Sequence, residues 1–174
     1  MIDQLTTTGI DIKFNAFLLS DGSEIGCSIY DTNGTDRYKP LNETFYKKVD
    51  GCLLVYDITN RRSFEQIKDY YIPKIKEKCQ KNIFILLLGN KNDMEEKRIV
   101  SFQEGNDLAL ENNYFFKEAS CIENEDENVF GSFQNIIENT FNIKKNNWNN
   151  DNDTISLISN RHKNFNKERK TKCC

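Results

Sequence analysis

The sequence predicts an α/β fold: three layers built on a mostly parallel sheet, with one antiparallel hairpin. Two observations carry that expectation. Continuous apolar runs at Gly51–Ile58 and Ile83–Gly89 have the length and composition of strands buried on both faces. Helix-like periodicity separates them from each other and from the later strand-like run, which is the alternation that builds parallel sheets. A third observation supplies the hairpin, because Ser20-Asp21-Gly22 sits between two strand-like runs, Ile10–Leu19 and Ser23–Tyr30.

The remaining elements come in order along the chain. Ser63-Phe64-Glu65-Gln66 has capping-box form and precedes Ile67, Tyr71 and Ile75 at helical spacing. Pro73 inside that stretch predicts a kink or an early break. Ser101-Phe102-Gln103-Glu104 is a second capping box, opening a helix through Leu108 and Leu110. Tyr114-Phe115-Phe116 reads as a short strand. Val129, Phe130, Phe133, Ile136, Ile137 and Thr140 mark the apolar face of a last helix.

With 174 residues, one domain is the expectation. Most of the apolar runs lie before Phe141. From Asn142 onward the chain is rich in Asn and basic residues, and residues 142–174 are expected to form a disordered tail. The net charge of −3 divides unevenly: the tail is +5 and residues 1–141 are −8. A basic tail on an acidic body points to an anionic surface. Membrane phospholipid suits it better than nucleic acid, because the basic residues converge on Cys173 and Cys174. The opening Met1-Ile2-Asp3-Gln4 has no secretory character, and Cys27 and Cys52 lie in apolar runs, so a reducing compartment is expected.

Three loops after strand-like runs carry candidate chemistry. Asp31 precedes a Gly34 turn; its carboxylate could hold magnesium through water while the Gly34 N–H approaches a terminal phosphate. The same residues also read as an ordinary surface turn. Asn90-Lys91-Asn92-Asp93 is more specific. The Asp93 carboxylate could accept from the N1–H and exocyclic amine of guanine, a donor pair that adenine lacks on that edge. Lys91 could lay its stem over the base, and Asn90 could tie neighbouring loops together. Ser120, Cys121 and Ile122 follow the next strand, where a backbone N–H could reach the guanine carbonyl oxygen. Thr7 could offer a hydroxyl to magnesium, or be only part of a polar terminus.

In this order and spacing the motifs resemble the Rab branch of the Ras-like small GTPases. The likeness covers about Thr6 to Phe141, with a tail of similar style. Thr7-Thr8-Gly9-Ile10-Asp11 resembles the first switch segment, and Asp31-Thr32-Asn33-Gly34-Thr35-Asp36-Arg37-Tyr38 the second. Leu54–Thr59 with Ser63-Phe64 is similar to the central strand and following helix start. Asn90–Asp93 matches the guanine motif, and Glu118-Ala119-Ser120-Cys121-Ile122 resembles the last base-contacting loop. The Cys173-Cys174 ending resembles a double geranylgeranylation site, and Lys167, Arg169, Lys170 and Lys172 would add attraction to anionic lipid. Two free thiols on a frayed tail are the plainer reading. The resemblance implies a P-loop NTPase-type sandwich over residues 1–141. It implies a GTP/GDP- and magnesium-dependent switch in vesicle trafficking, working with effectors and regulators. Its place would be the cytoplasmic face of intracellular membranes, with a cytosolic pool.

The departures set their own expectations. The 174 residues contain no Gly-Lys dipeptide and therefore no Gly-x-x-x-x-Gly-Lys phosphate loop. The domain is expected to be N-terminally truncated, lacking the opening strand, that loop and the first helix. Its sheet would then have a slot either open to solvent or filled by something else. The water-positioning Gln of the family aligns with Thr35, too short for that task, so hydrolysis is expected to be slow or absent. Asn33 replaces a small Ala. The effector-facing aromatic triad becomes Ile12, Tyr30 and Phe45. The alternatives to a nucleotide switch are a nucleotide-free, membrane-tethered interaction module and a truncated gene product without GTPase activity.

Overall fold

The computed structural model describes residues 10–33, 44–79, 83–121 and 129–145, and the backbone path of 154–161. Strand β1 (Ile10–Leu18) and strand β2 (Glu24–Asn33) pair antiparallel, from Ile10 opposite Thr32 to Leu18 opposite Glu24. Their turn closes with the Leu19 N–H donating to the Ser23 carbonyl at 2.8 Å. Gly22 has φ +82°, a left-handed conformation that glycine adopts without a Cβ penalty. Strands β3 (Gly51–Asp57) and β4 (Phe84–Asn90) run parallel, and β4 pairs with edge strand β5 (Phe115–Ala119). All seven β3 residues are buried, as the continuous apolar run requires.

Alternation along β3 and β4 divides the core into two faces. Leu54, Tyr56, Ile85 and Leu87 pack with Ile67, Tyr71, Ile75 and Leu108 on one side. Leu53, Val55, Leu86 and Leu88 pack with Ile136 and Ile137 on the other. The first face is covered by helices α1 (Arg61–Gln66), α2 (Ile72–Lys78) and α3 (Phe102–Asn112), the second by α4 (Val129–Lys145). This is the expected three-layer arrangement.

Two local expectations change in detail. The first helix starts at Arg61, with Asn60 as N-cap, and not at Ser63. Ser63 is buried; its hydroxyl accepts from the Asp57 N–H at 3.0 Å and donates to the Asn60 carbonyl at 2.7 Å, so it serves the strand end. The break expected from Pro73 is a π-helical turn over Ile67–Tyr71 between α1 and α2. The Ile72 N–H reaches five residues back to the Ile67 carbonyl, next to the proline that has no N–H to offer.

At α3 the expected capping box forms, with Ser101 and Glu104 exchanging side chain-to-backbone bonds. Arg61 also grips Glu104, at 2.6 Å. These contacts, the Arg61 guanidinium first and Ser101 second, lower the Glu104 carboxyl to about 2, against an ordinary value of 4.5. A depressed carboxylate stabilises the fold fully above its unfolded value and loses that contribution as pH falls toward the folded value. The urea-midpoint advantage of wild type over Glu104→Gln should therefore persist at pH 6 and fade between about pH 4.5 and 2. A constant difference across that range would refute the assignment. A second test concerns Gly105, where an added Cβ would lie 2.4 Å from the Tyr56 Oη and 2.6 Å from the Phe116 ring. Overpacking of this kind costs about 1–3 kcal/mol, against a helix-propensity gain of about 1. Gly105→Ala should be destabilising by about 1 kcal/mol, measured by urea unfolding; a stabilised variant would count against this packing.

The main correction concerns the segment expected to be a disordered tail. Helix α4 runs on to Lys145, and residues 154–161 form strand β6 (Thr154–Arg161) inside the sheet. The order is β1-β2-β6-β3-β4-β5, with β6 parallel to both neighbours. The slot expected in the sheet is filled: residues 154–161 lie between β2 and β3. Composition concealed this, because eight extended residues need few large side chains when both backbone edges are satisfied by neighbours.

Candidate functional site

The parallel strands β3, β4 and β5 end at one edge of the sheet, the place where α/β folds form ligand crevices. Strand register sets Asp57, Asn90 and Ala119 in one row there. The Ile58 N–H donates to the Asn90 carbonyl at 3.1 Å, joining the loops after β3 and β4. Asn90 folds its side chain back, so that its Oδ1 accepts from the Lys91 N–H at 2.8 Å and from the Cys121 thiol at 3.8 Å.

Lys91 has φ +69°, a left-handed conformation uncommon outside glycine. It turns the chain abruptly from β4 into a 3₁₀ segment, Asn92–Lys97. The Lys91 ammonium reaches across to the Asp57 Oδ2 at 2.6 Å, with both side chains at least four-fifths covered. The other Asp57 oxygen accepts from the Thr59 N–H at 2.8 Å and hydroxyl at 2.7 Å. Burial alone would push the Asp57 carboxyl up, but the Lys91 and Thr59 donors outweigh it and hold the group below its ordinary value.

Asp93 is exposed in the first turn of the 3₁₀ segment, Ser120 is buried after β5, and Cys121 is exposed beside it. One edge thus brings together Asn90, Lys91, Asp93, Ser120 and Cys121. Asp31 lies at half-buried depth in β2, opposite Asp11 on one side and Ser159 on the other. Thr7, Gly34, Thr35, Ile122, Cys173 and Cys174 lie outside the described residues. The described part of the edge fits a guanine base: an exposed carboxylate on a tight turn, beside a largely covered lysine stem and a strand-end loop. For magnesium it offers Asp31 only, and among the described residues no group of three or more His, Cys, Asp or Glu side chains could hold a metal.

Two residues to which the sequence reading gave no site role hold this edge in shape. One is Asp57, the anchor of Lys91. The other is Arg98, which forks onto Glu118, with Nη1 and Nη2 at 2.8 and 2.7 Å from its two oxygens, and onto Glu95 at 2.6 Å. It also donates to the Val100 carbonyl at 3.0 Å. The fork staples the end of the 3₁₀ segment to β5, and the two carboxylates, Glu118 first, raise the guanidinium pKa. Asp57 ends an apolar run and Arg98 sits in a charge-rich loop, so neither had a spacing signal to mark it.

The four described cysteines carry free thiols. Burial pushes Cys27 up to about 12, with Asp50 adding to it, and Cys79 to about 11, so both are protonated, Cys27 in the core and Cys79 half-buried against it. Among the described residues no helix is long and apolar enough to cross a membrane.

A family model described as the Ras family matches residues 2–142. The chain is 37% identical over 120 residues to the GTP-binding protein ypt2 of Schizosaccharomyces pombe, covering 69% of this chain and 59% of that protein. It is 40% identical over 117 residues to the Ras-related protein Rab-8B of Bos taurus, covering 67% and 56%. Against the Ras-related protein Rab-1 of Theileria parva it is 35% identical over 134 residues, covering 77% and 60%. The chain spans somewhat over half the length of these relatives.

Proposed function

The chain belongs to the Ras family as a Rab-like small GTPase, and from that premise we propose that it is a guanine-nucleotide switch in intracellular vesicle trafficking. The observation that carries the reading is the Asn90-Lys91-Asn92-Asp93 turn, held at the end of β4 by the Lys91–Asp57 pair and placed beside Ser120-Cys121 at the end of β5. Asp93 accepts from the two guanine donors, and Lys91 flanks the base while Asp57 fixes its head. Asn90 holds the loops together, and the backbone at Ser120, Cys121 and Ile122 faces the base carbonyl. Thr7 and Asp31 would hold magnesium and Gly34 the terminal phosphate, and Thr35 makes hydrolysis slow. Cys173 and Cys174 carry geranylgeranyl groups that, with the basic residues before them, attach the chain to the cytoplasmic face of an intracellular membrane. Effectors and regulators of Rab type are its partners.

A second reading is a nucleotide-free, membrane-tethered interaction module. One observation favours it: the sheet position between β2 and β3 is taken by β6. Calorimetric titration of the purified chain with GDP and with ADP, in magnesium, separates the two. Micromolar or tighter GDP binding with ADP ineffective supports the switch. A chain that melts cooperatively yet binds neither nucleotide refutes the switch and supports the module.

A further inference from the structure

We propose that the free edge of β1 is a self-association surface, where a second copy of this chain adds its own β1 antiparallel about a two-fold axis at Ile12. Strand β1 is the outer strand of the sheet. It pairs with β2 one residue for one over nine residues, so no bulge turns the edge away. It contains no proline, and every side chain from Asp11 to Ala16 is exposed. Phe14 is 79% exposed and Ile12 44%, on the same face of the strand.

Which backbone groups are free follows from the hairpin. The Leu19 N–H donates to the Ser23 carbonyl at 2.8 Å, which makes Leu19–Ser23 a hydrogen-bonded pair in the β1–β2 register. Such pairs alternate along an antiparallel ladder, so Phe17, Asn15, Lys13 and Asp11 bond to β2. Ala16, Phe14, Ile12 and Ile10 turn their N–H and C=O groups outward. The Ala16 N–H agrees with this, since it donates to the Asn15 Oδ1 of its own strand at 3.0 Å. That contact occupies the edge at Ala16 and leaves Ile10, Ile12 and Phe14 as the open rungs among the described residues.

Charge selects the same residues. With the axis at Ile12, Ile10 lies opposite the partner's Phe14 and Ile12 opposite the partner's Ile12, and each such rung exchanges two backbone hydrogen bonds. Asp11 then faces the partner's Lys13, and Lys13 the partner's Asp11, at the non-hydrogen-bonded positions where side chains lie closest. An axis at Lys13 would set that lysine against its own copy, and an axis at Asp11 would do the same with carboxylates. An axis at Phe14 would leave Lys13 opposite Asn15 and need the occupied rung at Ala16. Only the axis at Ile12 joins opposite charges and open rungs. Because that axis stands normal to the sheet, the parallel strands of the two copies run in opposite directions. Their Asn90–Asp93 edges therefore point opposite ways, and the interface does not depend on nucleotide binding. An interface this small is of the transient class, with a Kd on the order of 10⁻⁵–10⁻⁴ M.

Sedimentation velocity of the full-length chain in reducing buffer, over a dilution series up to about 1 mM, tests the proposal and should show a monomer–dimer equilibrium. Lys13→Asp sets carboxylates against each other at both contacts and should raise the Kd at least ~10-fold. Asp11→Lys should do the same with ammonium groups. The two substitutions together exchange the charges and should restore wild-type association, a rescue that neither a folding defect nor a contact elsewhere would give. Amide exchange at Ile12 and Phe14 should slow as concentration rises, while that at Lys13, already bonded to β2, should not change. A chain that stays monomeric at about 1 mM would overturn the proposal and leave this edge to an extended segment of another protein. A dimer indifferent to both single reversals, or one that the charge exchange does not restore, would overturn it as well.

Discussion

Asp93→Ala should lower GDP affinity by roughly 10²–10⁴-fold and remove the preference for GDP over ADP. Two hydrogen bonds from the guanine edge to one carboxylate are lost, and each bond to a charged group contributes about 1.5–3 kcal/mol. Because Asp93 is exposed in the free protein, the substitution leaves no buried group unpaired and should move the urea midpoint very little. Loss of base discrimination with unchanged stability is the signature to look for. Unchanged discrimination in a chain that binds GDP would remove Asp93 from the base site.

Arg98→Ala should destabilise the domain by about 3 kcal/mol. The Glu118 side chain is 9% exposed and Arg98 16%, and truncating one partner of a covered pair strands the other charge; such losses run to about 3–5 kcal/mol. The small opening to solvent on the arginine side places the value at the lower end. Removing both partners, Arg98→Ala with Glu118→Ala, should recover much of the loss, because no carboxylate is then left unpaired. Urea unfolding of the three variants measures this. A single-variant loss below about 1 kcal/mol would mean that water replaces the arginine freely, as at a surface pair. The same substitution releases the 3₁₀ segment from β5, so guanine affinity should fall along with stability, in contrast to Asp93→Ala.

How legible each part was depended on the kind of signal it leaves in a sequence. Strands β3 and β4 were visible because strands buried on both faces need unbroken apolar runs, and Gly51–Ile58 and Ile83–Gly89 have them. The hairpin was visible through Asp21-Gly22, and α3 through Ser101 and Glu104, since caps and turns are decided within a few residues. The Asn90-Lys91-Asn92-Asp93 turn was visible because its residues are contiguous. Asp57 and Arg98 were not, because their partners Lys91 and Glu118 are 34 and 20 positions away and only the strand register brings them within reach.

By itself, then, the sequence determined the layer architecture, the family likeness and the loop that bears guanine-recognition chemistry, all products of local periodicity and contiguous motifs. Tertiary structure alone decided what fills the middle of the sheet. Thr154–Arg161 lies in a polar, Asn-rich region with too few apolar side chains to order itself, and it becomes a central strand because β2 and β3 both offer it unsatisfied backbone edges. Those edges exist only once the rest of the sheet has formed, so no window of sequence around residue 154 could show them.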